Sequence, residues 1–160
     1  MGIAHYNLKN DGEALKQYTT ILQQFPNSPE AEAALENARI IYIDQGKTSE
    51  YVNFARNMGK EITVNQEDEL AYQEAEVQFN NGNFPAAPKK FEDYLVRFPE
   101  RKYALEALYY KSEIYFNQKD WAKAAPGYEL LGDRAPNKFA EKALVLAARL
   151  NFFDLKNYEK

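Results

Sequence analysis

Residues 69–99 read ELAYQEAEVQFNNGNFPAAPKKFEDYLVRFP, and residues 106–136 read EALYYKSEIYFNQKDWAKAAPGYELLGDRAP. The second stretch repeats the first at a distance of 37 residues, from Glu69 and Glu106 to Pro99 and Pro136. A period between about 20 and 50 residues predicts an array in which each repeat buries its apolar face against its neighbours. Because no single repeat encloses a pocket, the sequence predicts a binding scaffold whose surface is shared between repeats.

Each copy has the pattern of two helices. In the first copy, Tyr72, Ala75 and Phe79 are spaced for one face of a helix, and the polar cluster at residues 80–83 ends it. A second helix is predicted to begin near Phe84. Each repeat is therefore predicted to be a helix hairpin.

Four residues make specific predictions about helix ends and crossings. Asp68 is predicted to cap the first helix of one copy, and Asp120 the second helix of the next copy. Pro126 lies about five residues into that second helix, where a missing backbone donor predicts either a kink or a later start. Ala124 is predicted at a close helix crossing, where a leucine would push the helices apart.

The repeat pattern extends over the whole chain. The predicted repeats are residues 1–28 (partial, with residues 1–8 ending a first helix), 29–67 (degenerate), 68–100, 101–137 and 138–160 (partial). We therefore expect a single all-α array of about five repeats. Because Phe152, Phe153 and Leu155 would be exposed at one end, we also expect a fragment of a longer protein whose missing half-repeats cover that end.

The composition argues against several function classes. Twenty basic and 24 acidic residues give a net charge of −4, spread along the chain, so we expect no nucleic-acid partner. No apolar run is long enough to predict direct membrane insertion by this segment. The only histidine is His5, and there is neither cysteine nor a glycine-rich phosphate loop, so we expect no catalytic site, metal or cofactor. The carboxylate pairs Asp68–Glu69 and Glu74–Glu76 are expected on solvated helix faces.

With its copies aligned, the chain resembles the tetratricopeptide repeat family. The residues that carry the resemblance are the small residues Ala87 and Ala124, the aromatic residues Phe91 and Tyr128, the closing prolines Pro26, Pro99 and Pro136, and the small first-helix residues Gly2, Ala75 and Ser112. The resemblance implies a right-handed superhelical array of antiparallel helix hairpins, an α-solenoid. Its concave wall would be formed by the first helices and would bind peptides or partner proteins.

The period of 36–37 residues and the linker FPNSP at residues 25–29 are similar to bacterial cell-envelope members of this family. These are of the outer-membrane assembly lipoprotein and Tol-Pal-associated types. This narrower resemblance favours the bacterial periplasm or cell envelope over the cytoplasm.

The repeated first-helix positions form the candidate binding face. Its members are Glu69, Tyr72, Glu76, Phe79, Asn80, Glu106, Tyr109, Glu113, Phe116 and Asn117. Helical spacing places each set along one side of its helix, and the family's geometry implies that this side faces the concave groove. The spacing leaves open whether the four aromatic residues line the groove or the core, and whether the two asparagines contact a ligand or only end their helices.

An acidic and aromatic face favours a basic or amphipathic protein or peptide ligand. We expect that replacing Glu76 and Glu113 together by lysine weakens the binding of that ligand and leaves the stability of the chain nearly unchanged. Two other functions remain open: a structural or homo-oligomerisation module of a larger envelope protein, and a glycan-binding repeat domain in which rings stack on sugars.

Overall fold

A computed structural model of the chain describes residues 8–157. Its α-helices are α1 Leu8–Gln24, α2 Pro29–Asp44, α3 Thr48–Asn57, α4 Val64–Asn80, α5 Ala87–Arg97, α6 Ala104–Asn117, α7 Trp121–Asp133 and α8 Ala140–Arg149, and a π-helical turn follows at Leu150–Asp154. Within this range no strand is present, so the predicted all-α class is confirmed. The prediction for residues 1–8 lies outside the described residues, except for Leu8, which begins α1.

Two compact units divide the chain, Met1–Leu70 and Ala71–Lys160, and the boundary falls within α4. In the first unit, α2 packs against α1 and α3. In the second, α6 lies between α5 and α7, and α7 lies between α6 and α8. Short turns join these neighbours, which is the arrangement of successive antiparallel helix hairpins in an α-solenoid.

A turn with one left-handed residue ends the first helix of four repeats. In each turn one residue has a left-handed backbone: Gly46 (φ 69°), Gly82 (φ 72°), Lys119 (φ 61°) and Lys156 (φ 53°). In the first turn the N–H of Lys47 donates to the Tyr42 carbonyl at 2.8 Å, and that of Gly46 to the Ile43 carbonyl at 2.9 Å. This pair of bonds is the Schellman motif, which satisfies the last carbonyls of a helix. The left-handed residues follow one another at 36 or 37 positions, which confirms the period.

Aromatic triads fill the hairpins of the third and fourth repeats. The triads are Phe79, Phe84 and Phe91 in one repeat, and Phe116, Trp121 and Tyr128 in the next. Ring centroids lie 5.9 and 6.5 Å apart around Phe79, and 5.3 and 6.3 Å apart around Phe116. These edge or tilted contacts hold each first helix to its second helix.

Small residues let α6 and α7 approach closely. Ala124 and Ser112 are both fully buried, which confirms the predicted crossing at Ala124. Gly127 of α7 lies so close to α6 that an added Cβ would overlap the Ser112 Oγ and lie 3.5 Å from Cδ1 of Leu108. The Ser112 hydroxyl donates instead to the Leu108 carbonyl of its own helix at 2.8 Å. The crossing therefore needs a residue without a side chain at Gly127.

The predicted cap at Asp68 is wrong, because α4 begins four residues earlier, at Val64. Thr63 precedes the helix, and its Oγ1 accepts from the Gln66 N–H at 3.3 Å, while the Thr63 N–H donates to Gln66 Oε1 at 2.9 Å. This reciprocal pair is a capping box. Asp68 lies within the helix and is only 4% exposed.

The second helix begins later than predicted in the third repeat and at the predicted position in the fourth repeat. In the third repeat, α5 begins at Ala87 rather than near Phe84. The Phe84 N–H donates to the Gly82 carbonyl at 2.8 Å, so this residue belongs to the turn. In the fourth repeat, Asp120 occupies the predicted cap position, but its carboxylate pairs with Lys123 at 2.7 Å instead of accepting from the backbone. Helix α7 starts at Trp121 and continues through Pro126, which excludes a late start.

The degenerate second repeat also folds as a hairpin. Its first helix, α2, buries Ala31, Ala34, Ala38 and Ile41 along one side. Ser28 caps this helix by accepting from the Ala31 N–H at 3.1 Å. The predicted break at residues 45–47 is the turn between α2 and α3.

We predict that Gly127→Ala lowers the free energy of unfolding by about 1–3 kcal/mol, because the new methyl group must displace Ser112. Combining it with Ser112→Ala removes the overlapping oxygen and should recover part of that loss. Urea denaturation of both single variants and the double variant measures this coupling.

The matched control is Gly12→Ala in α1, where an added Cβ has no atom within 4 Å. This variant should be neutral or more stable by up to about 1 kcal/mol, because alanine is the better helix former. Equal losses at both glycines would contradict the close crossing of α6 and α7.

A second prediction concerns the turn at Lys119. Its left-handed backbone strains any residue with a side chain, so Lys119→Gly should raise the free energy of unfolding by about 0.5–1 kcal/mol. The reverse change, Gly82→Ala in the equivalent turn, should lower it by about 1 kcal/mol. Thermal unfolding, monitored by circular dichroism, measures the opposite changes expected for the two variants. A loss of stability in Lys119→Gly would be inconsistent with this strain.

Candidate functional site

The ten residues of the candidate binding face differ in burial. Tyr72 is buried, with 6% of its surface exposed. Six residues are half-buried: Glu76, Phe79, Glu106, Tyr109, Glu113 and Phe116. Three are exposed: Glu69, Asn80 and Asn117. Glu69 belongs to the first compact unit and the other nine to the second.

The two tyrosines of the face stack on the residue that precedes the next first helix. The Tyr72 ring lies 4.4 Å from the Tyr103 ring at an interplanar angle of 10°, and the Tyr109 ring lies 4.4 Å from the Phe139 ring at 13°. Tyr72 also contacts Tyr94 edge-on at 5.8 Å. Tyr72 is therefore a core residue that joins two repeats, while Tyr109 makes the same joint and stays partly exposed.

A lysine accompanies each of these stacked pairs. Lys102 Nζ lies 4.6 Å from the centre of the Tyr103 ring, and Lys138 Nζ lies 4.9 Å from that of Phe139. Such cation–π contacts contribute about 0.5–1 kcal/mol at exposed positions. The stacked ring and its lysine therefore recur at the entrance to α6 and to α8.

Glu113 connects the face to the core. Its carboxylate accepts from the hydroxyl of the fully buried Tyr128 at 2.6 Å and pairs with Lys142 at 3.3 Å. Lys142 also donates to the Tyr109 hydroxyl. Replacement of Glu113 by lysine would leave the buried Tyr128 hydroxyl facing a cation. The expectation that Glu76 and Glu113 can both become lysine at no cost in stability is therefore not supported at Glu113.

Lysines offset much of the negative charge on this face. Lys138 pairs with Glu106 at 2.7 Å, in the same way that Lys142 pairs with Glu113. Glu76 accepts from the Tyr72 hydroxyl at 3.4 Å, and within residues 8–157 no lysine or arginine pairs with it. The face is thus of mixed charge rather than acidic, because Lys138, which precedes α8, and Lys142 of α8 bring two cations to the carboxylates of α6.

Sequence reasoning missed these two lysines. The repeated pattern does carry a signal for one of them, because Lys102 precedes α6 as Lys138 precedes α8, 36 residues later. No equivalent basic residue precedes Lys142, since Glu106 occupies that position. The contact of Lys142 with Glu113 follows from the packing of α8 beside α6 and could not be read from spacing.

Burial raises the pKa of Tyr72 and of Tyr128 above the ordinary value near 10, because the charged phenolate is poorly solvated there. The carboxylates of Glu76 and Glu113 add to the respective shifts. The hydrogen bond to Tyr109 raises the pKa of Lys142, so this lysine keeps its charge at neutral pH. The two buried phenols therefore stay neutral at neutral pH, while Lys142 keeps its charge at the surface of the face.

Two carboxylates expected in solvent are buried. Asp68 is 4% exposed and Glu74 is 7% exposed, and Glu74 pairs with Lys90 of α5. The expectation of solvated faces is therefore wrong for these two residues. Across the described part of the chain, no group of three or more His, Cys, Asp or Glu residues is placed to hold a metal ion.

Two open clefts recur in the second compact unit. One, of about 400 Å³, lies between the start of α5 and the turn after α6, and the other, of about 350 Å³, lies between α7 and the turn after α8. Five lining positions correspond at 37 residues: Pro85 and Ala122, Pro88 and Ala125, Lys89 and Pro126, Glu92 and Glu129, and Gln118 and Leu155. Since the clefts coincide with the repeat, they are a consequence of repeat stacking.

The raised tyrosine pKa values give a pH prediction. An unfolded tyrosine ionises near pH 10, while folded Tyr128 does so at a higher pH, so the folded state keeps a proton that the unfolded state loses. The contribution of each such tyrosine to the free energy of unfolding should be fully present below about pH 10. It should fall above that pH by up to about 1.4 kcal/mol per pH unit. Urea denaturation at pH 9, 10 and 11 should show a steeper decline for the unsubstituted chain than for Tyr128→Phe.

The comparison between pH 7 and pH 9 serves as the control. Between these two pH values the free energies of unfolding of the unsubstituted chain and of Tyr128→Phe should differ by a constant amount, which reflects the lost hydrogen bond to Glu113. Parallel stability curves up to pH 11 would show that Tyr128 does not keep its proton in the folded state.

Two segments match the family model of the tetratricopeptide repeat, residues 1–28 and 106–138. The second segment contains α6 from Glu106 onward, all of α7 and half of the candidate binding face. Among curated proteins, no significant match to the chain is found. In the described residues, no helix is both long and apolar enough to cross a membrane. Tetratricopeptide repeats commonly mediate protein–protein interactions and are generally non-catalytic. The two matched segments and the repeated helix hairpins together make this chain similar to the tetratricopeptide repeat family.

Proposed function

We propose that this chain is a non-catalytic scaffold that binds a protein or peptide along the first helices of its second compact unit. The proposed surface, the first-helix row, consists of Glu76, Phe79, Asn80, Glu106, Tyr109, Glu113, Phe116, Asn117, Lys138 and Lys142. One observation carries the proposal: half-buried rings and charged groups stand at the same positions of successive first helices and are held there by defined partners.

Fixed partners reduce the cost of binding, because a held side chain loses little conformational freedom when a ligand arrives. The Tyr109 ring is held by its stack on Phe139, and Phe116 by its contact with Trp121 at 5.3 Å. Glu113 is held by Tyr128 and Lys142. The row therefore offers ring edges, a phenol and charges in a preorganised arrangement.

The charges favour an amphipathic ligand over a uniformly basic one. Lys138 and Lys142 are exposed and would repel a strongly basic peptide, whereas Glu76 is available for one basic residue. Neighbouring first helices are about 10 Å apart by general packing distances, which an extended peptide covers in about three residues. We propose an extended segment with alternating apolar and charged residues, including one Lys or Arg opposite Glu76.

Two broader proposals accompany this function. We propose that the repeats follow the predicted bounds of residues 1–28, 29–67, 68–100, 101–137 and 138–160, except that the third repeat begins with α4 at Val64. We also propose a parent protein of the bacterial cell-envelope type, since the 36–37 residue spacing of the turns and the Phe25–Pro26 linker fit that type. A parent reading frame that encodes no export signal would contradict the second of these proposals.

Peptide selection tests the function directly. A displayed library of random 12-residue peptides is selected on the chain, and the enriched peptides are titrated by isothermal calorimetry. We expect Glu76→Lys and Tyr109→Ala each to weaken binding at least tenfold, because each removes one anchor of the row. Circular dichroism establishes that both variants remain helical.

Glu100→Lys provides the matched control, because Glu100 is an exposed acid between α5 and α6 and is outside the row. This variant has the same charge change as Glu76→Lys and should bind within twofold of the unsubstituted chain. If the enriched peptides bind all three variants equally, the row is not the binding surface.

A further inference from the structure

The third copy of one position in the first-helix row carries the opposite charge from the first two copies. Glu113 of α6 repeats Glu76 of α4 at 37 residues. Helix α8 begins at Ala140, 36 residues after α6 begins at Ala104, so Arg149 is the equivalent residue of α8. A guanidinium therefore stands on α8 where α4 and α6 have a carboxylate.

Helical spacing places Arg149 on the side of α8 that continues the row. Lys142 marks this side, because it pairs with Glu113 at 3.3 Å and donates to the Tyr109 hydroxyl. Val145 and Arg149 follow Lys142 by three and seven residues, which is the spacing of neighbours along one side of a helix. Val145 is 65% exposed and Arg149 is exposed as well. An apolar and a basic side chain are thus open to a ligand on this side.

The π-helical turn after α8 adds an exposed ring. The left-handed residues Lys119 and Lys156 are 37 positions apart, whereas the two helix starts before them are 36 positions apart. The π-helical turn holds the extra residue, because it has more residues per turn than an α-helix. Phe153 therefore corresponds to Phe116 of the row. Its ring is 69% exposed and lies 4.9 Å from the ring of Phe152.

Of the three apolar residues that we expected to be exposed here, two are exposed. Phe152 and Phe153 have 56% and 69% of their surface exposed, which confirms the prediction for both. The prediction is wrong for Leu155, which is half-buried against the core of the second compact unit. Leu155 is therefore not part of the surface available to a ligand.

Two charged groups of opposite sign lie at the ends of this arrangement without an ionic partner. Among residues 8–157, Glu76 pairs with no lysine or arginine, and Arg149 pairs with no carboxylate. Between them, Glu106 and Glu113 are each paired with a lysine. The charge that is free to attract a ligand is therefore negative on α4 and positive on α8.

We propose that α8 extends the first-helix row and selects a ligand that is acidic at this end. The surface, named the α8 extension, consists of Val145, Arg149 and Phe153. This inference rests on the proposed function and adds a polarity to its ligand. The ligand has Lys or Arg opposite Glu76, Asp or Glu opposite Arg149, and an apolar residue near the acidic one that contacts the valine and the ring.

Charge complementarity determines this occupant. A uniformly basic segment would be repelled by Arg149, and a uniformly acidic one by Glu76, so the favoured segment carries one charge of each sign. Helix α4 contacts α6 through Phe79 and Tyr110 at 5.3 Å, and α6 contacts α8 through Lys142. Two helix spacings of about 10 Å separate α4 from α8, which an extended segment covers in about six residues.

Parallel peptide selection tests the polarity. A displayed library of random 12-residue peptides is selected on the unsubstituted chain and on Arg149→Glu. Peptides enriched on the unsubstituted chain should carry a basic and an acidic residue about six positions apart. On Arg149→Glu the acidic residue should be exchanged for Lys or Arg, while the basic residue opposite Glu76 is kept.

Calorimetric titration of one enriched peptide measures the size of the effect. Arg149→Glu should weaken the peptide about fivefold, because one exposed attraction becomes a repulsion. The same peptide with Lys in place of its acidic residue should lose about as much on the unsubstituted chain and regain it on Arg149→Glu. This second comparison changes only the peptide, so it does not depend on how a variant folds.

Arg101→Glu provides the matched control, because Arg101 is exposed between α5 and α6 and lies outside the row and its extension. It has the same charge change as Arg149→Glu and should bind the peptide within about twofold of the unsubstituted chain. Circular dichroism establishes that both variants remain helical.

The outcomes separate this inference from the proposed function. If Glu76→Lys and Tyr109→Ala weaken the peptide but Arg149→Glu does not, the row binds the ligand and the α8 extension does not select it. Enriched peptides that keep their acidic residue on Arg149→Glu would overturn the inference in the same way. If no peptide is enriched, or if all variants bind equally, both proposals fail.

Discussion

The close crossing of a first helix over a second helix is the constraint on which the second compact unit depends. At Gly127 there is no room for a side chain against Ser112, and Ala124 is fully buried beside it. Close approach is what allows the rings of Phe116, Trp121 and Tyr128 to meet between this crossing and the turn that joins α6 to α7. Protein interiors tolerate little excess volume, so the small residues at the crossing determine where the large residues can be placed.

The same geometry links packing to recognition. Stacking of Tyr109 on Phe139 joins two repeats and leaves part of the tyrosine at the surface, next to Lys142 of α8. Glu113 is both a partner of the buried Tyr128 and a member of the first-helix row. Residues that serve stability and residues of the proposed first-helix row are therefore the same ones in part. This explains why members of the row have defined partners, and also why the charge of Glu113 cannot be changed without cost.

Much of the fold could be predicted from the sequence, because the period of a repeat can be measured directly from the positions of its equivalent residues. The hairpins, the break at residues 45–47, the closing of the first helices and the crossing at Ala124 were all predictable. Helix starts were less so. The capping box at Thr63 and Gln66 competes with Asp68 as a start signal, and the turn after Gly82 includes Phe84 in spite of its apolar character. Local hydrogen bonds decide such ends, and composition gives only a weak indication of them.

The sequence by itself determined the repeating helix hairpin, because spacing of apolar and small residues along one helix is a one-dimensional property. It also located the ten positions of the candidate face. Only the tertiary structure decided which of them are buried, how Lys138 and Lys142 offset the charge of Glu106 and Glu113, and which side of α8 remains uncovered. These features depend on contacts between residues about 30 or more positions apart, and such contacts are set by how neighbouring helices pack rather than by the order of residues within any one of them.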